Sequence, residues 1–576
     1  MEKIIIGLII LLTVILRFYQ LTNYPSGFHI DETTLGYNAY SILTTGRDES
    51  GRFLPLYSTS FGLDRAIGNF LITAISVAIF GLNEFAVRFI FALFGVLTVF
   101  LFYIFAREIF PNYIFALLTM FFLSISPWHI DMSRASSEAN ISLFFILLGQ
   151  LFYLKGVRLK NYKLVYPSYP GLPSLAGSKR VRWVDTETNR SFFSILLSII
   201  SFVVSIFFYH AAIGFILLSS LASGIFIWLR SSNFREKLNV AITQVALIAL
   251  LILFFIFGQG GANRLNQVGF HKDPNVINEQ NKMFYDEGPN NILTARIYHN
   301  KMITYSRAFI NNYSQYFTID YLFLNAGKPP RYTPPAMGLI YIIELPFILI
   351  GIIKIINKKT TNLVIVLIFL LMSPVVAALT YEDAPNVQRS FFMVGYIEIL
   401  TAYGVFSSLY FLNRHPLILR LFISVLVLSM IYYLHQYYVL FPVHNPLYRN
   451  DGDKELVTEV MKIKDSYSRV IMTNDPEEPF YYFLFYTKFD PKIFQHKYSK
   501  VKESSTGWLF EDKILFSKDG CPSQRKDMYE EENALIVDGS ICEYDEKVQA
   551  RYKLISAIAR KDGSIAYRLL ERRNEN

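Results

Sequence analysis

Long apolar blocks alternate with short polar stretches up to residue 440, and there the pattern changes. Blocks at 4–21, 84–106, 112–127, 138–155, 191–209, 211–230, 239–257, 336–355, 362–380, 390–412 and 417–440 approach the length that crosses a bilayer, roughly 20 residues. One further apolar stretch, 66–82, is ambiguous, and charge resolves it. Suppose the N-terminus is cytoplasmic and 66–82 does not cross. Arg107, the segment from Lys155 to Arg190, Arg230 to Lys237, Lys354 to Lys359 and Arg414 to Arg420 then all face inward, as the positive-inside tendency favours. If 66–82 crossed, every one of them would move outside. The pattern therefore predicts about eleven spans, the N-terminus inside, the C-terminal region outside, and 66–82 as an interfacial or re-entrant helix on the outer side. Residues 1–16 resemble a signal peptide, but Arg17-Phe18-Tyr19-Gln20 offers no small-residue cleavage site, so they are expected to be an uncleaved first span.

Four segments then face outward: 22–83, 128–137, 258–335 and 381–389. The loop at 156–190 is basic and rich in Pro, Gly and Ser, a flexible cytoplasmic connector. The loop at 258–335, with Gly260-Gly261 and Lys328-Pro329-Pro330, is too long for a simple connection. It reads either as a lid over the site or as a partly ordered spacer. After residue 440 charge and turn residues rise, and short strands are predicted at 468–472, 534–537, 547–556 and 565–570. The expected fold is an all-α polytopic membrane domain, 1–440, followed by a small soluble extracytoplasmic α/β domain, 441–576. Cys521 and Cys542 both fall in the second domain; an outer compartment permits a bridge between them, and two free thiols are the alternative.

Composition agrees with a multi-pass protein of the cell membrane. Apolar residues make up 52% of the chain, and the net charge of +9 fits basic cytoplasmic loops. No basic stripe with interleaved aromatics suggests a nucleic-acid partner. There is also no Walker loop, no dinucleotide-binding glycine pattern and no His/Cys cluster with zinc spacing.

The candidate chemistry is acidic and basic, and it lies at span ends. Phe28-His29-Ile30-Asp31-Glu32-Thr33-Thr34-Leu35-Gly36-Tyr37 places two adjacent carboxylates beside the membrane at the start of an amphipathic helix. Asp31 as a plain helix cap, with Glu32 in the first turn, is the modest explanation. In Ser126 to Asn140, Arg134 and Glu138 stand four apart and would share a helix face, as a substrate contact or a local ion pair. His210 lies where two spans meet. Thr380 to Arg389 ends on an arginine, whose planar fork suits a phosphate. Arg65 follows Asp64 just before the interfacial helix. A carboxylate facing outward, with cations near it and apolar grooves between helices, suits transfer of an activated group from a lipid phosphate. The arginines would hold the phosphate, and the carboxylate would take a proton from the acceptor.

These residues carry a resemblance to the glycosyltransferase C superfamily, closest to protein O-mannosyltransferases and bacterial lipid A aminoarabinose transferases. Leu16-Arg17-Phe18 followed by Asp31-Glu32-Thr33 and Tyr37 resembles the first outer loop of those enzymes. Gly81 to Phe89 resembles their "fG…e…avR" segment, and Ser126-Pro127 through Glu138-Ala139 their second outer loop. The resemblance implies an inverting, metal-independent or weakly metal-dependent transfer of a hexose or pentose from a polyprenyl phosphate to a lipid, protein or glycan acceptor. It implies Asp31 as general base, Glu32 and Glu138 on the acceptor side, and Arg65 and Arg389 as phosphate ligands. The competing expectation is a transporter or flippase for a lipid-linked substrate, which would need charges deep in the spans and an internal repeat. A receptor with a ligand-binding outer domain is the third.

Overall fold

The computed structural model describes residues 1–55, 57–60, 63–157, 188–257, 269, 272–288, 291–358, 361–444, 446–474, 478–497, 507–517, 520–525 and 533–573. The connector expected at 156–190 and the Gly260-Gly261 pair fall almost wholly outside these residues. The chain begins with α1 (Glu2–Phe18) and α2 (Ile30–Thr45). A two-stranded hairpin, β1 (Tyr57–Ser60) and β2 (Leu63–Ala66), leads into α3 (Ile67–Phe80). There follow α4 (Glu84–Ile109), α5 (Tyr113–Ile125), α6 (Pro127–Arg134), α7 (Glu138–Val157), α8 (Thr188–Ile206), α9 (Ala211–Arg230) and α10 (Phe234–Phe257). Long helices resume at α11 (Leu345–Lys358), α12 (Thr361–Met372), α13 (Met393–Arg414) and α14 (Pro416–His435).

Every apolar block of the sequence is thus helical among the described residues. Among the described residues, five helices are long and apolar enough to cross a bilayer, or six if the pair α5 and α6, bent by 56°, is one span. This is a multi-pass membrane protein; further apolar helices of 10–17 residues, Ile67–Phe80, Phe192–Ile206 and Asn362–Ala378, stand beside these among the described residues. At 14 residues, α3 reaches about 21 Å, against a hydrocarbon core of ~30 Å. The expected long loop is partly helical: Pro274–Glu287, Ile292–Tyr298 and Lys301–Gln315 all form helices.

The C-terminal unit is a six-stranded mixed sheet, in the order β4 (Gly507–Phe510), β5 (Ile514–Ser517), β3 (Arg469–Thr473), β6 (Ala534–Gly539), β8 (Ile565–Arg572) and β7 (Tyr552–Ala559). The parallel neighbours of β3 put its apolar run inside on both faces. One strand was expected at 547–556, but its first half is a helix, Glu546–Arg551, capped by Asp545, whose carboxylate accepts from Val548 N at 2.9 Å. Cys521 and Cys542 are bridged.

The two units share one apolar core. Leu35 and Tyr37 of α2 and Val87 and Phe91 of α4 cluster with Val457, Phe483, Phe485 and Phe494. Tyr37 Oη donates to Phe489 O at 3.1 Å, and Tyr482 Oη donates to Phe28 O at 2.9 Å. The approach is close at Gly36, where a Cβ would lie 2.5 Å from Phe485 Cε2 and 2.7 Å from Val87 Cγ2. Gly36→Val is therefore expected to cost about 1–3 kcal/mol through overpacking. A lower melting temperature of the membrane-embedded protein would show it; an unchanged one would contradict the seam.

Candidate active site

The first turn of α2 organises the site. His29, not Asp31, is the N-cap: its Nδ1 accepts from Asp31 N at 3.0 Å, and Glu32 returns a capping-box bond from His29 N at 3.2 Å. Asp31 is thereby free for other partners, which corrects the reading of it as the cap. Its carboxylate is ion-paired with Arg65 on one oxygen and with Arg331 Nη2 at 3.1 Å on the other. Its side chain remains 32% exposed. Burial acts to raise its pKa, but Arg65 and then Arg331 overrule it and hold the group well below the usual carboxylate range.

Glu32 points the opposite way, into the protein. It is 2% exposed and lies between Arg88 Nε at 2.8 Å and Arg449 Nη2 at 2.5 Å, with Ser136 Oγ donating at 3.2 Å. Burial pushes its pKa up, and Arg88 and Arg449 pull it down to about 2. A buried carboxylate bound this way ties together the segments that carry Arg88, Ser136 and Arg449.

Arg449 links the centre to the C-terminal unit. Besides Glu32 it donates to Ser26 O at 3.2 Å and to Arg331 O at 3.4 Å. Its neighbour Asn450 accepts from Ile30 N at 3.1 Å. Arg331 is carried by a segment whose Lys328 forms an isolated parallel bridge with Asn386, Lys328 N to Pro385 O at 3.0 Å and Val387 N to Lys328 O at 2.8 Å. Its Nη1 lies 3.1 Å from His29 Nε2, and its Nε is buried without a hydrogen-bond partner among the described residues. Burial, and then Arg331, lower the pKa of His29 to about 3. A neutral imidazole accepts at one nitrogen only, so it cannot satisfy both Asp31 N–H and Arg331. Arg331 therefore has donor capacity to spare beside Asp31.

The remaining expected residues divide. Arg65 is where it was expected. Glu138 lies close enough for its charge to act on Arg65 and Tyr332. Arg134 does not pair with Glu138 along one helix: α6 ends at Arg134, Ser136 has a φ of 51°, and α7 begins at Glu138. The Arg134 guanidinium is instead buried and donates to Leu16 O, Tyr19 O, Tyr24 O and Tyr437 Oη at 2.8–3.1 Å. It clasps the end of α1. His210 stands at the head of α9, half-buried, outside the ion pairs of Asp31 and Glu32. Arg389 closes its own loop, donating to Thr380 Oγ1 at 2.7 Å and Glu382 O at 2.8 Å. The second cation on Asp31 is Arg331, from the loop to which the Arg389 segment is laced. Arg331 and Arg449 were missed. The run Lys328-Pro329-Pro330 drew attention and ends one residue short of Arg331.

The architecture can be set beside solved structures. It is similar to the ArnT structure from Cupriavidus metallidurans in its apo state, with a TM-score of 0.50 and 11% identity, covering 98% of this chain and 97% of that one. Residues 7–165, the segment bearing Asp31, Glu32, Arg65 and Glu138, match the model of the family described as dolichyl-phosphate-mannose-protein mannosyltransferase. An uncharacterized protein of Aquifex aeolicus (strain VF5) is 31% identical over 157 residues, 27% of this chain and 30% of its own length. The oligosaccharyltransferase AglB from Archaeoglobus fulgidus, in complex with an inhibitory peptide and a dolichol-phosphate, has a TM-score of 0.48 and 12% identity over 84% of this chain and 63% of its own. The chain thus spans under a third of the curated relative it matches.

Proposed function

We propose that the protein is an inverting glycosyltransferase that moves a hexose or pentose from a polyprenyl-phosphate donor to an acceptor hydroxyl or amine at the outer face of the membrane. The observation that carries this reading is Asp31, gripped by Arg65 and Arg331 yet one-third open. The family match across 7–165 supports it. A donor phosphate competes with Asp31 for the same two guanidinium groups. As it draws them away, Asp31 loses the charges that depress its pKa and becomes a better base in the loaded site. Asp31 then accepts the acceptor's proton while the acceptor oxygen or nitrogen bonds to the anomeric carbon. The bond from that carbon to the phosphate oxygen breaks, and its electron pair leaves with polyprenyl phosphate, whose charge Arg65 and Arg331 hold. No metal is needed for that charge balance. Glu138 borders the acceptor side. The N-terminus is cytoplasmic and the C-terminal unit extracytoplasmic, a reading supported by the basic loops.

The test is turnover. Full-length protein in lipid nanodiscs is given polyprenyl-phosphate hexoses and pentoses together with lipid, glycan and protein acceptors. Release of polyprenyl phosphate matched to a mass gain on one acceptor is expected; a donor left intact with every acceptor would overturn the reading. The pH profile adds a sharper expectation. The acid limb of kcat/KM reports the free enzyme, so activity persists below the usual carboxylate range and falls only as Asp31 protonates. In Arg331→Gln one depressing charge is gone. The limb should move upward by roughly 1–3 pH units, measured by donor consumption across a pH series.

A further inference from the structure

Across the 20–28 loop from Asp31, a cavity of about 330 Å³ opens along the seam between the two units. It is separate from the reaction centre, since Asp31, Arg65 and Arg331 do not line it. Its charge is selective. Glu84, Asp451 and Glu455 contribute three carboxylates against the ammonium groups of Lys454 and Lys561. Both ammonium groups are occupied: Lys454 Nζ binds the two oxygens of Glu84 at 2.9 and 3.1 Å, and Lys561 Nζ donates to Ser26 Oγ at 2.6 Å. An anion such as phosphate would meet an excess of negative charge.

The rest of the lining favours hydroxyl groups. The exposed amides of Gln20 and Asn23, together with the carboxylate of Glu455, offer acceptors and donors on a polar wall. Tyr24 and Tyr486, each half-buried, supply aromatic surface. A rim of polar groups around amphipathic rings suits a ligand with many hydroxyls and apolar C–H faces, which is the chemistry of a sugar ring. The place also matters. Gln20 and Asn23 follow α1 directly, at the level where the first span ends. Gly27 and Phe28 form another wall, four and three residues ahead of Asp31.

We propose that this cavity is a carbohydrate subsite that seats an uncharged sugar residue of the acceptor beside the reaction centre. The inference rests on the transfer reading for the word acceptor alone; sugar binding in the cavity stands on its own chemistry. An occupant there bears on Phe28, whose carbonyl accepts from Tyr482, and on Asn450, which accepts from Ile30 N. These two contacts fix the start of α2. The sugar has two sources with the same ring chemistry, a glycolipid headgroup and a soluble glycan.

The experiment is saturation-transfer NMR on the full chain in nanodiscs free of glycosidic detergent. The probes are methyl β-D-glucoside and cellobiose for the soluble source, octyl β-D-glucoside below its micellar concentration for the membrane source, and inorganic phosphate as the anion. At least one saccharide should bind, and phosphate should not displace it. Glu455→Lys and Asn23→Ala, at exposed positions outside the reaction centre, should each weaken binding about tenfold, the scale of one good hydrogen bond. Octyl glucoside well ahead of methyl glucoside assigns a glycolipid; parity assigns a soluble glycan. No saccharide binding, or binding equal in both variants, overturns the subsite even if transfer is observed. Asp31→Asn should keep saccharide binding while transfer stops. Saccharide binding in a native protein that transfers nothing would retain the site and remove its acceptor role.

Discussion

Asp31→Asn is expected to lower kcat for sugar transfer by about 10²–10⁴-fold, the span of a lost general base. The substitution keeps the shape and leaves an amide oxygen for Arg65 or Arg331, so the first turn of α2 should hold. The His29–Asp31 N contact and the His29–Glu32 capping box do not involve the Asp31 carboxylate. Expression and melting temperature should stay near those of the native chain. Donor binding should be preserved or tighter, because both guanidinium groups are released from a competing carboxylate. The measurement is donor consumption under single-turnover conditions with donor affinity in parallel. Native-like transfer by the variant would remove Asp31 from the chemistry.

The largest structural effect is expected at Arg88. Its guanidinium is 1% exposed and donates to Glu32 Oε1 and Oε2 at 2.8 and 3.1 Å. It also donates to Leu21 O and Thr22 O at 3.1 Å and to Gly27 O at 2.7 Å. Arg88→Met keeps the apolar stem but leaves three carbonyl groups without this donor and leaves Glu32 with one guanidinium partner, Arg449. Removing one partner of a buried ion pair costs about 3–5 kcal/mol. Thermal melts in nanodiscs and proteolysis within 20–28 would report it. Arg88→Lys should recover only part, since an ammonium group lacks the fork. The pH dependence has a definite sign. Glu32 sits below its ordinary value of 4.5 in the fold, so its pairing stabilises the protein above that value and is lost as pH falls toward about 2. In Arg88→Met the loss should begin at higher pH.

What the sequence made legible follows from cost. Two carboxylates beside a membrane are expensive, so Asp31 and Glu32 stand out in a chain that is otherwise apolar around them. Hydrophobic block length and loop charge led to the helices, and Arg65 came from its place ahead of α3. Distant partners leave no such trace. Arg331 and Arg449 lie in segments whose local pattern says loop, and only folding brings them to Asp31 and Glu32. Arg134 was assigned by helical spacing, which fails because the backbone turns at Ser136. Likewise β4 and β5, Gly-Trp-Leu-Phe and Ile-Leu-Phe-Ser, are short apolar runs with no period-two alternation.

The centre draws on positions 31, 32, 65, 88, 331 and 449, and one of its ion pairs joins residues 417 apart. A nascent chain emerging from the ribosome therefore carries its acidic pair into the bilayer long before the last arginine is made. Until that arginine arrives, Glu32 has one of its two guanidinium partners and Arg331 is not yet anchored. The unfinished polypeptide thus lacks the bond that ties the first turn of α2 to the far end of the helical region until the chain has passed residue 449.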